Sequence, residues 1–229
     1  MLLLVAGLIT MVCLPLSVLG ASDDRDALIY KVEIFLHPKE GRDETVDIQQ
    51  IKETVEHLND IDVLFSFKEL GNPRIILILD VEKACSWPQL TGFLSSQGYE
   101  FSVTSLYHCG DFAKELGLNL PNDMWASSFG NDDLIMDKVI FPVKDLSTLE
   151  YNEKLKWIFE EDLAIHKNGQ PGVCFKTLAE FPVELVYFGP ASQSKMEAEE
   201  DLLHGPNTFH NEVSRIEKLD DYTGVCQGD

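Results

Sequence analysis

The six histidines are the side chains with the widest scope for catalysis or metal binding in this chain. None of them forms an HxxxH or HExxH unit, the spacings that place two ligands on one face of a helix. No GxSxG nucleophile motif and no glycine-rich phosphate loop occurs either. We therefore predict no metal site and no cofactor, and we expect any acid–base chemistry to come from the histidines, which are His37, His57, His108, His166, His204 and His210.

His37 and His108 are the strongest catalytic candidates because each ends a predicted strand in the first half of the chain. If both point into one cleft beside Tyr30 or Tyr107, they can serve as general acid and base in an enol isomerisation. The alternative interpretation, two unrelated histidines at strand ends, stays open. In the strand order that we expect, the first and fourth strands are not adjacent.

Two further groups of polar side chains have the composition of a cation site. His204 and His210 lie next to carboxylates at 199–201, and a second acidic run occupies 131–133. Clustered carboxylates bind Ca²⁺, but neither run has the spaced ligands of an EF-hand loop. The pattern therefore favours a solvent-exposed acidic surface, with weak calcium binding as the alternative.

The net charge restricts the possible partners. The chain carries 18 basic and 39 acidic residues, which gives a formal charge of −21. Nucleic-acid binding depends on Lys and Arg displacing counterions from phosphates, so we expect no nucleic-acid partner. An anionic membrane surface is disfavoured for the same reason. We predict a small organic ligand or an extracellular protein as the partner.

The first twenty residues indicate secretion. Residues 1–20 contain no charge, Pro15 interrupts their apolar run, and Val18 and Gly20 are small enough for a signal-peptidase site. The usual basic opening is missing, and an uncleaved membrane anchor is the alternative. We therefore expect a cleaved signal peptide and a secreted, extracellular protein. No second apolar run is long enough to span a bilayer, so we expect no membrane anchor in the mature chain.

The cysteine count agrees with an oxidising compartment. Four cysteines remain after the signal peptide, which suggests two disulfides with three possible pairings. One bridge in each half is the simplest choice, and it joins Cys85 to Cys109 and Cys174 to Cys226. Buried free thiols are the alternative.

Two similar hairpins must position these side chains. The first, at 64–81, has two apolar strands around Gly71-Asn72-Pro73. The second, at 173–189, repeats the motif Phe-Lys-x-Leu, a short turn that ends on proline, and an apolar strand. Residue spacing predicts further elements around the first hairpin, with strands at 27–37 and 99–108 and helices at 46–58 and 87–94. Together with the hairpin they give the ferredoxin-like order β-α-β-β-α-β.

The second half shows the same order less completely. A strand is predicted at 136–144 and a long helix at 149–166, ahead of the second hairpin. The segment 209–219 fits either a helix or a last strand. Between the halves, the connector 109–133 contains a short helical piece, and its Trp125 and Phe129 indicate that it packs against the body.

These patterns predict an α+β fold of two tandem ferredoxin-like (βαββαβ) units, packed as a pseudo-dimer within one chain. The boundaries that we expect are a signal peptide at 1–20, a first unit at 27–108, the connector at 109–133, and a second unit at 134–229. Two helices would cover one face of each sheet, so the other face needs a partner layer.

The opening strand YKVEIFLHP, the hairpin FSFKELGNPRIILILDV, the helix WPQLTGFLSSQGY and the closing strand FSVTSLYH lie within residues 27–108. Together they resemble the dimeric α/β-barrel superfamily, in its muconolactone-isomerase-like branch. The resemblance implies a second sheet over the open face of the first. It also implies isomerisation, cyclisation or cofactor-free oxidation of small rings in a pocket between sheet and helices. No motif transfers catalytic residues to this chain.

A competing resemblance covers residues 136–191. The segment DKVIFPVKDLS, with the later VELVYFGPAS, is similar to vicinal-oxygen-chelate modules, which use a histidine on the first strand as a metal ligand. This chain has Lys138-Val139-Ile140 where that histidine is expected. The resemblance therefore implies no metal of that type here.

The leading functional hypothesis is a secreted, acidic binding or interaction protein with an apolar pocket for a small organic ligand. The architecture favours a pocket, and the sequence contains no recognisable catalytic set. The first alternative is a cofactor-free isomerase or cyclase of small rings that uses His37 and His108. The second is a matrix protein that binds calcium diffusely.

Overall fold

The computed structural model describes most of the chain after residue 27, with gaps. The predicted signal peptide at 1–20, the carboxylates at 199–201, residues 131–132 of the second acidic run, His204 and Cys226 lie outside the described residues. The described ranges are 28–38, 40–120, 125–130, 133–141, 146–166, 172–191 and 210–225.

Eight strands and five helices make up the described part of the fold. The strands are β1 (Ile29–Phe35), β2 (Ile61–Glu69), β3 (Arg74–Val81), β4 (Glu100–His108), β5 (Leu134–Phe141), β6 (Val173–Thr177), β7 (Val183–Pro190) and β8 (His210–Lys218). The helices are α1 (Glu44–Glu56), α2 (Trp87–Ser96), α3 (Cys109–Glu115), α4 (Thr148–His166) and α5 (Leu219–Val225). Within this part of the chain, none of the helices combines the length and the apolar composition needed to cross a membrane.

The strands form one closed antiparallel barrel in the order β1-β3-β2-β8-β5-β7-β6-β4. The first half of the chain contributes β4-β1-β3-β2 to this ring, and the second half contributes β8-β5-β7-β6. The strand β1 pairs with β4 along its whole length, with Ile29 opposite Leu106 and Phe35 opposite Glu100. The expectation that the first and fourth strands are not adjacent is therefore wrong, because the hairpin occupies one edge of β1 and α2 returns the chain to the other.

Three apolar clusters hold the described elements together. One fills the barrel interior with residues from both halves, and the other two lie between the barrel wall and the helices of each half. The interior cluster contains three buried phenylalanines and three buried isoleucines with their apolar neighbours. Its members are Phe67, Ile76, Ile78, Leu106, Leu134, Met136, Val173, Phe175, Val186, Phe188 and Ile216. The open sheet face expected from the sequence is thus buried inside the barrel.

Helix α1 is fixed against the outside of the first half by its cap and its apolar face. The side chain of Asp43 accepts a hydrogen bond from the backbone N–H of Thr45 at 2.9 Å, which satisfies one free donor of the first turn. Ile48, Ile51 and Val55 are buried against the sheet at helical spacing. This face forms one wall of the cleft described below.

The first hairpin confirms the turn predicted from its sequence. Gly71 has a φ of 84°, a left-handed conformation that glycine adopts without a Cβ clash. The second hairpin forms between β6 and β7, and the undecided segment near 209–219 is the strand β8 followed by the helix α5.

A network of buried charges lies inside the barrel on the same face of β1 as Ile29. The Lys31 ammonium group is 3.2 Å from the Glu33 carboxylate, and the Arg74 guanidinium group is 2.8 Å from the same carboxylate. Arg74 also donates to Glu69 at 2.5 Å, and Lys138 lies 3.5 Å from Glu33. Each buried charge therefore has an opposite charge as its neighbour, as burial requires.

Glu69 is the most strongly perturbed carboxylate of this network. Burial by itself raises its pKa, because the charged form loses its hydration. Hydrogen bonds outweigh that effect and lower the pKa of Glu69 to about 2, with donors from Arg74, Ser214 and Asn72.

The disulfide joins the two halves instead of closing a loop within one. Cys109 at the start of α3 is bonded to Cys174 in β6, with the Cα atoms 5.3 Å apart. Cys85 is a free, exposed thiol. The predicted pairs Cys85–Cys109 and Cys174–Cys226 are therefore wrong. The physical reason is barrel closure, which makes β4 and β6 neighbours and brings these two cysteines together.

Candidate functional site

The barrel closes at two junctions, where a strand of one half pairs with a strand of the other. At the first junction β2 pairs with β8 through residues 67–69, and at the second β4 pairs with β6 through residues 106–108. The junctions correspond in backbone geometry. The N–H of Leu70 donates to Arg215 across the first, and the N–H of Leu178 donates to Ser105 across the second, both at 2.9 Å.

Several contacts tie the two halves together at the second junction. The Cys109–Cys174 disulfide crosses it. Trp125 forms a β-bridge with Gly172, and the N–H of Ala126 donates to the Gly172 carbonyl at 2.8 Å. The predicted packing of the connector is confirmed here, because Trp125 lies against this junction.

The first junction contains an open cleft. Aligning Phe-Lys-x-Leu in the two hairpins places Ser66 where the second half has Cys174, and Leu219 begins α5 as Cys109 begins α3. No crosslink can form from a serine and a leucine. The cleft lies between α1 and β2, has a volume of about 440 Å³, and falls in the usual size range of small-molecule sites.

We call this space the α1–β2 cleft. Residues of α1 and β2 form most of its wall, and β3, the connector, the end of β8 and the start of α5 supply the rest. Its described lining consists of Ile51, Lys52, Val55, Glu56, Val63, Leu64, Phe65, Ser66, Phe67, Leu77, Ser127, Ser128, Phe129, Lys218 and Asp220.

Three phenylalanine rings form the inner end of the cleft. The Phe129 ring lies 5.3 Å from that of Phe65 and 5.9 Å from that of Phe67. Phe67 continues into the barrel interior, where its ring stacks on Phe188 at 5.2 Å. A bulge between Val63 and Phe65 breaks the register of β2 with β3, and bulges of this kind redirect side chains. The cleft therefore offers flat aromatic surfaces to a ligand.

Polar groups lie at the outer end of the cleft. The Lys52 ammonium group is hydrogen-bonded to Asp220, and Lys218 lies 2.8 Å from Asp221. Ser66 contributes a hydroxyl from the strand itself. Both aspartates belong to the short helix α5, so this helix sets the positions of the two lysines at the rim.

The structure separates the predicted acid–base pair. His37 follows β1 and contacts Glu100 at 2.8 Å, whereas His108 ends the same strand that Glu100 begins. Eight residue steps of β4 at about 3.3 Å each separate Glu100 from His108 by about 26 Å, and His37 lies at the Glu100 end. The two histidines cannot act on one substrate together, because β1 and β4 run antiparallel and their carboxyl ends lie at opposite ends of the barrel.

His108 has a structural role in the described part of the fold. Its Nδ1 accepts a hydrogen bond from the N–H of Gly110 at 3.2 Å, which caps α3. Its ring lies 5.1 Å from Trp125 and 5.8 Å from Phe175 in edge-to-face geometry. Burial lowers the pKa of His108, because the imidazolium ion loses its hydration there.

The two predicted pocket tyrosines lie on the outer face of the barrel. The Tyr30 ring packs on Trp87 at 4.9 Å, and the Tyr107 hydroxyl donates to Glu115 at 2.8 Å. Neither tyrosine lines the α1–β2 cleft. His210 is exposed at the start of β8, 3.5 Å from Glu212. Across the described ranges, no three histidine, cysteine or carboxylate side chains are arranged to hold a metal ion.

The sequence alone does not identify the aromatic residues of the cleft as a site. Phe65 and Phe67 alternate on one face of β2, which by itself indicates only a buried strand face. Phe129 lies in the connector, more than fifty residues away in the chain. Only barrel closure brings the three rings together.

Searches against protein-family models and against curated proteins match nothing. Solved structures do match. The fold resembles that of chlorite dismutase. A chlorite dismutase variant from Candidatus Nitrospira defluvii superposes with a TM-score of 0.56 and 11% identity, covering 88% of this chain and 96% of that one.

Two further structures share the chlorite dismutase-like fold. A protein assigned as a monooxygenase from Fusobacterium nucleatum has a TM-score of 0.51 at 10% identity, over 84% of this chain and 93% of its own. An anthrone oxidase-like protein has a TM-score of 0.50 at 10% identity, over 84% and 92%. Identity at this level shows the fold alone, an α+β barrel consistent with the dimeric α/β-barrel relationship.

The comparison corrects the leading functional hypothesis. The neighbours are named as a dismutase, a monooxygenase and an oxidase-like protein, which are names of enzymes. The hypothesis of a secreted binding or interaction protein is therefore wrong as the leading one. The isomerase or cyclase alternative is nearer in being an enzyme, but its reaction type finds no support among these structures.

Proposed function

We propose that this protein is an enzyme that oxidises a small aromatic compound in the α1–β2 cleft. One observation carries the proposal: the first junction contains a cleft that ends on the rings of Phe65, Phe67 and Phe129, whereas a disulfide joins the two halves at the corresponding second junction. A wall of three rings suits a flat, unsaturated substrate, because stacked and edge-to-face ring contacts are favourable. The names of the structural neighbours support oxidation as the reaction class.

The chain's own residues would bind and orient such a substrate. The three rings enclose its aromatic part, and the Ser66 hydroxyl can donate to a carbonyl or hydroxyl group at the rim. The Lys52 ammonium group, which is hydrogen-bonded to Asp220 at the rim, would stabilise the negative charge of a ring hydroxyl that lost its proton there. An electron-rich phenolate or enolate reacts with dioxygen more readily than the neutral ring, so stabilising this anion favours oxidation.

The reaction that we propose converts a ring methylene group and dioxygen into a ring carbonyl group and water. Haem iron takes a histidine, cysteine, methionine or tyrosine ligand. None of these side chains is among the described residues that line the cleft. The proposal therefore contains no step on a haem.

We further propose that the two halves are tandem ferredoxin-like units that form a pseudo-dimer. Their matching strand orders and the matching hydrogen bonds at the two junctions support this. The placement in the muconolactone-isomerase-like branch stays a prediction, as does the resemblance of 136–191 to vicinal-oxygen-chelate modules. Secretion also stays a proposal, supported by the Cys109–Cys174 disulfide, since disulfides persist in oxidising compartments.

Anthrone is the first substrate to test, because it is the compound named for one structural neighbour. The purified protein is mixed with anthrone in air-saturated buffer, and dioxygen uptake is followed with an oxygen electrode. We expect uptake above the uncatalysed rate, and incorporation of one oxygen atom from ¹⁸O₂ into the product. Related phenols and enols extend the series if anthrone reacts slowly.

Phe129→Ala is the informative variant, and Phe181→Ala is its matched control. Phe129 closes the inner end of the cleft, so its loss should lower kcat/KM by about tenfold, or about 1.4 kcal/mol. Phe181 is 82% exposed on the β6–β7 turn, so its loss should leave kcat/KM unchanged. If no aromatic substrate is oxidised and no ligand shifts NMR signals of the cleft, the proposed function is wrong.

A further inference from the structure

Two lysines occupy corresponding positions in the two halves and differ in one respect. Lys68 in β2 and Lys176 in β6 both follow the phenylalanine of the Phe-Lys-x-Leu motif. Each ammonium group lies over an aromatic ring of the helix that follows the last strand of the other half, which is α5 for Lys68 and α3 for Lys176. Lys68 lies 5.5 Å from the Tyr222 ring, and Lys176 lies 5.0 Å from the Phe112 ring.

The difference lies in the hydrogen-bond acceptors. The Lys68 ammonium group donates to the carbonyls of Glu69 and Asn72 and lies 3.2 Å from the Glu44 carboxylate. The Lys176 amine has one acceptor among the described residues, the Thr177 carbonyl at 3.3 Å. Lys68 therefore has an ion pair and an additional acceptor, and the contacts of Lys176 with the described residues include neither.

Lys176 is also within reach of groups that can move a proton. Tyr107 is its direct partner in the β4–β6 pairing, and facing side chains of such a pair have Cβ atoms about 5 Å apart. The Tyr107 hydroxyl donates to the Glu115 carboxylate at 2.8 Å. Lys176, Tyr107, Glu115 and the ring of Phe112 therefore form one cluster on the outer face of the second junction.

We propose that Lys176 is a nucleophilic amine that condenses with small aldehydes or ketones at this cluster. The amine nitrogen attacks the carbonyl carbon, and a proton moves to the carbonyl oxygen to give a carbinolamine. Loss of water then leaves an imine between Lys176 and the carbonyl carbon. Tyr107, hydrogen-bonded to Glu115, would supply the proton that departs with the water, and the N–H proton of the carbinolamine would return to the Tyr107 oxygen.

The electrostatics agree with this geometry. Burial lowers the pKa of Lys176, and the negative charge of Glu115, which raises this pKa, offsets the effect only in part. A larger fraction of the side chain is then the neutral amine at pH 7, which is the form that attacks a carbonyl. Lys176 is only half-buried, so a small reagent can reach it.

The test uses butanal as the probe and sodium cyanoborohydride to reduce the imine to a stable secondary amine. The folded wild-type protein is sampled over time at pH 7, and each lysine is quantified by peptide mass spectrometry. The internal comparisons are Lys68, the corresponding buried lysine, and Lys114, which is exposed and paired with Asp111 at 2.8 Å. We expect Lys176 to be modified at least about threefold faster than Lys114, because a lowered pKa gives more neutral amine.

Two variants and a pH series complete the test. Tyr107→Phe should slow the modification of Lys176 without changing that of Lys114. Lys176→Arg should remove the fast-reacting site and leave the other lysines as they were. The rate at Lys176 should also reach its half-maximal value at a lower pH than the rate at Lys114. Modification of Lys176 no faster than that of Lys114 in the folded wild-type protein, with the same pH dependence, would overturn the proposal.

Discussion

Removing the Cys109–Cys174 disulfide should cost this protein a large part of its stability. The bridge spans 65 residues of sequence and joins the two halves at the second junction. In the chain-entropy model, a crosslink over a loop of this length reduces the entropy of the unfolded chain enough to stabilise the fold by about 4.3 kcal/mol. Single domains have total stabilities of about 5–15 kcal/mol, so the loss is substantial.

The double variant Cys109→Ala/Cys174→Ala tests this by urea unfolding, followed by tryptophan fluorescence and circular dichroism. With a urea dependence of about 2 kcal/mol per molar, the midpoint should fall by about 2 M. Both cysteines are buried, so alanine also leaves a small cavity. Unfolding of the wild-type protein in the presence of a dithiol reductant isolates the effect of the crosslink from that of the cavity.

Cys85→Ala is the matched control, because this thiol is exposed and free. It should change the stability by less than about 0.5 kcal/mol. Peptide mapping without reduction should recover a linked pair that contains Cys109 and Cys174. A midpoint shift below about 0.5 M, or a peptide that links Cys85 to Cys109, would show that the reasoning is wrong.

Three further predictions concern ionisable and hydrogen-bonded groups. The pKa of Glu69 is lowered from an ordinary value of 4.5 to about 2. Its ionised form therefore contributes about 3 kcal/mol to the free energy of unfolding above pH 4.5, and this contribution is lost as the pH falls toward 2. Urea titrations at several pH values should show this loss in the wild-type protein and not in Glu69→Gln. Because the pKa of His108 is lowered in the folded protein, the unfolded chain takes up the proton first as the pH falls below about 6.5. The free energy of unfolding should decrease there, and NMR titration of the ring should show a midpoint below 6.5. His108→Asn should lack this pH dependence of stability. Tyr99→Phe removes the 2.9 Å hydrogen bond to Asp47 and should destabilise the fold by about 1 kcal/mol; an unchanged unfolding midpoint would contradict this.

Most of the secondary structure could be predicted because its signals are local. The alternation of apolar residues and the Gly71-Asn72-Pro73 turn define the first hairpin within eighteen residues, and helical spacing defines α1. The described bounds differ from the predicted ones by only a few residues.

The site could not be predicted because it depends on contacts between distant segments. Both junctions pair over only three residues, and what distinguishes them is the crosslink and the Trp125–Gly172 bridge at the second, which no local pattern encodes. The disulfide depends on the same closure of the barrel. The separation of His37 from His108 follows from strand direction, since neighbouring antiparallel strands end at opposite edges of a sheet. A correct strand order would have excluded that pair.

The two junctions differ, and this difference is possible because both belong to one polypeptide. In a symmetric homodimer the two contacts between subunits are identical, so any substitution appears in both at once. A cysteine pair that locked one contact would lock the other and leave no opening. A single chain escapes this constraint: Cys109 and Cys174 can tie one side, while Leu219 and Ser66 leave the other accessible. The crosslink and the cleft therefore lie on opposite sides of the same barrel.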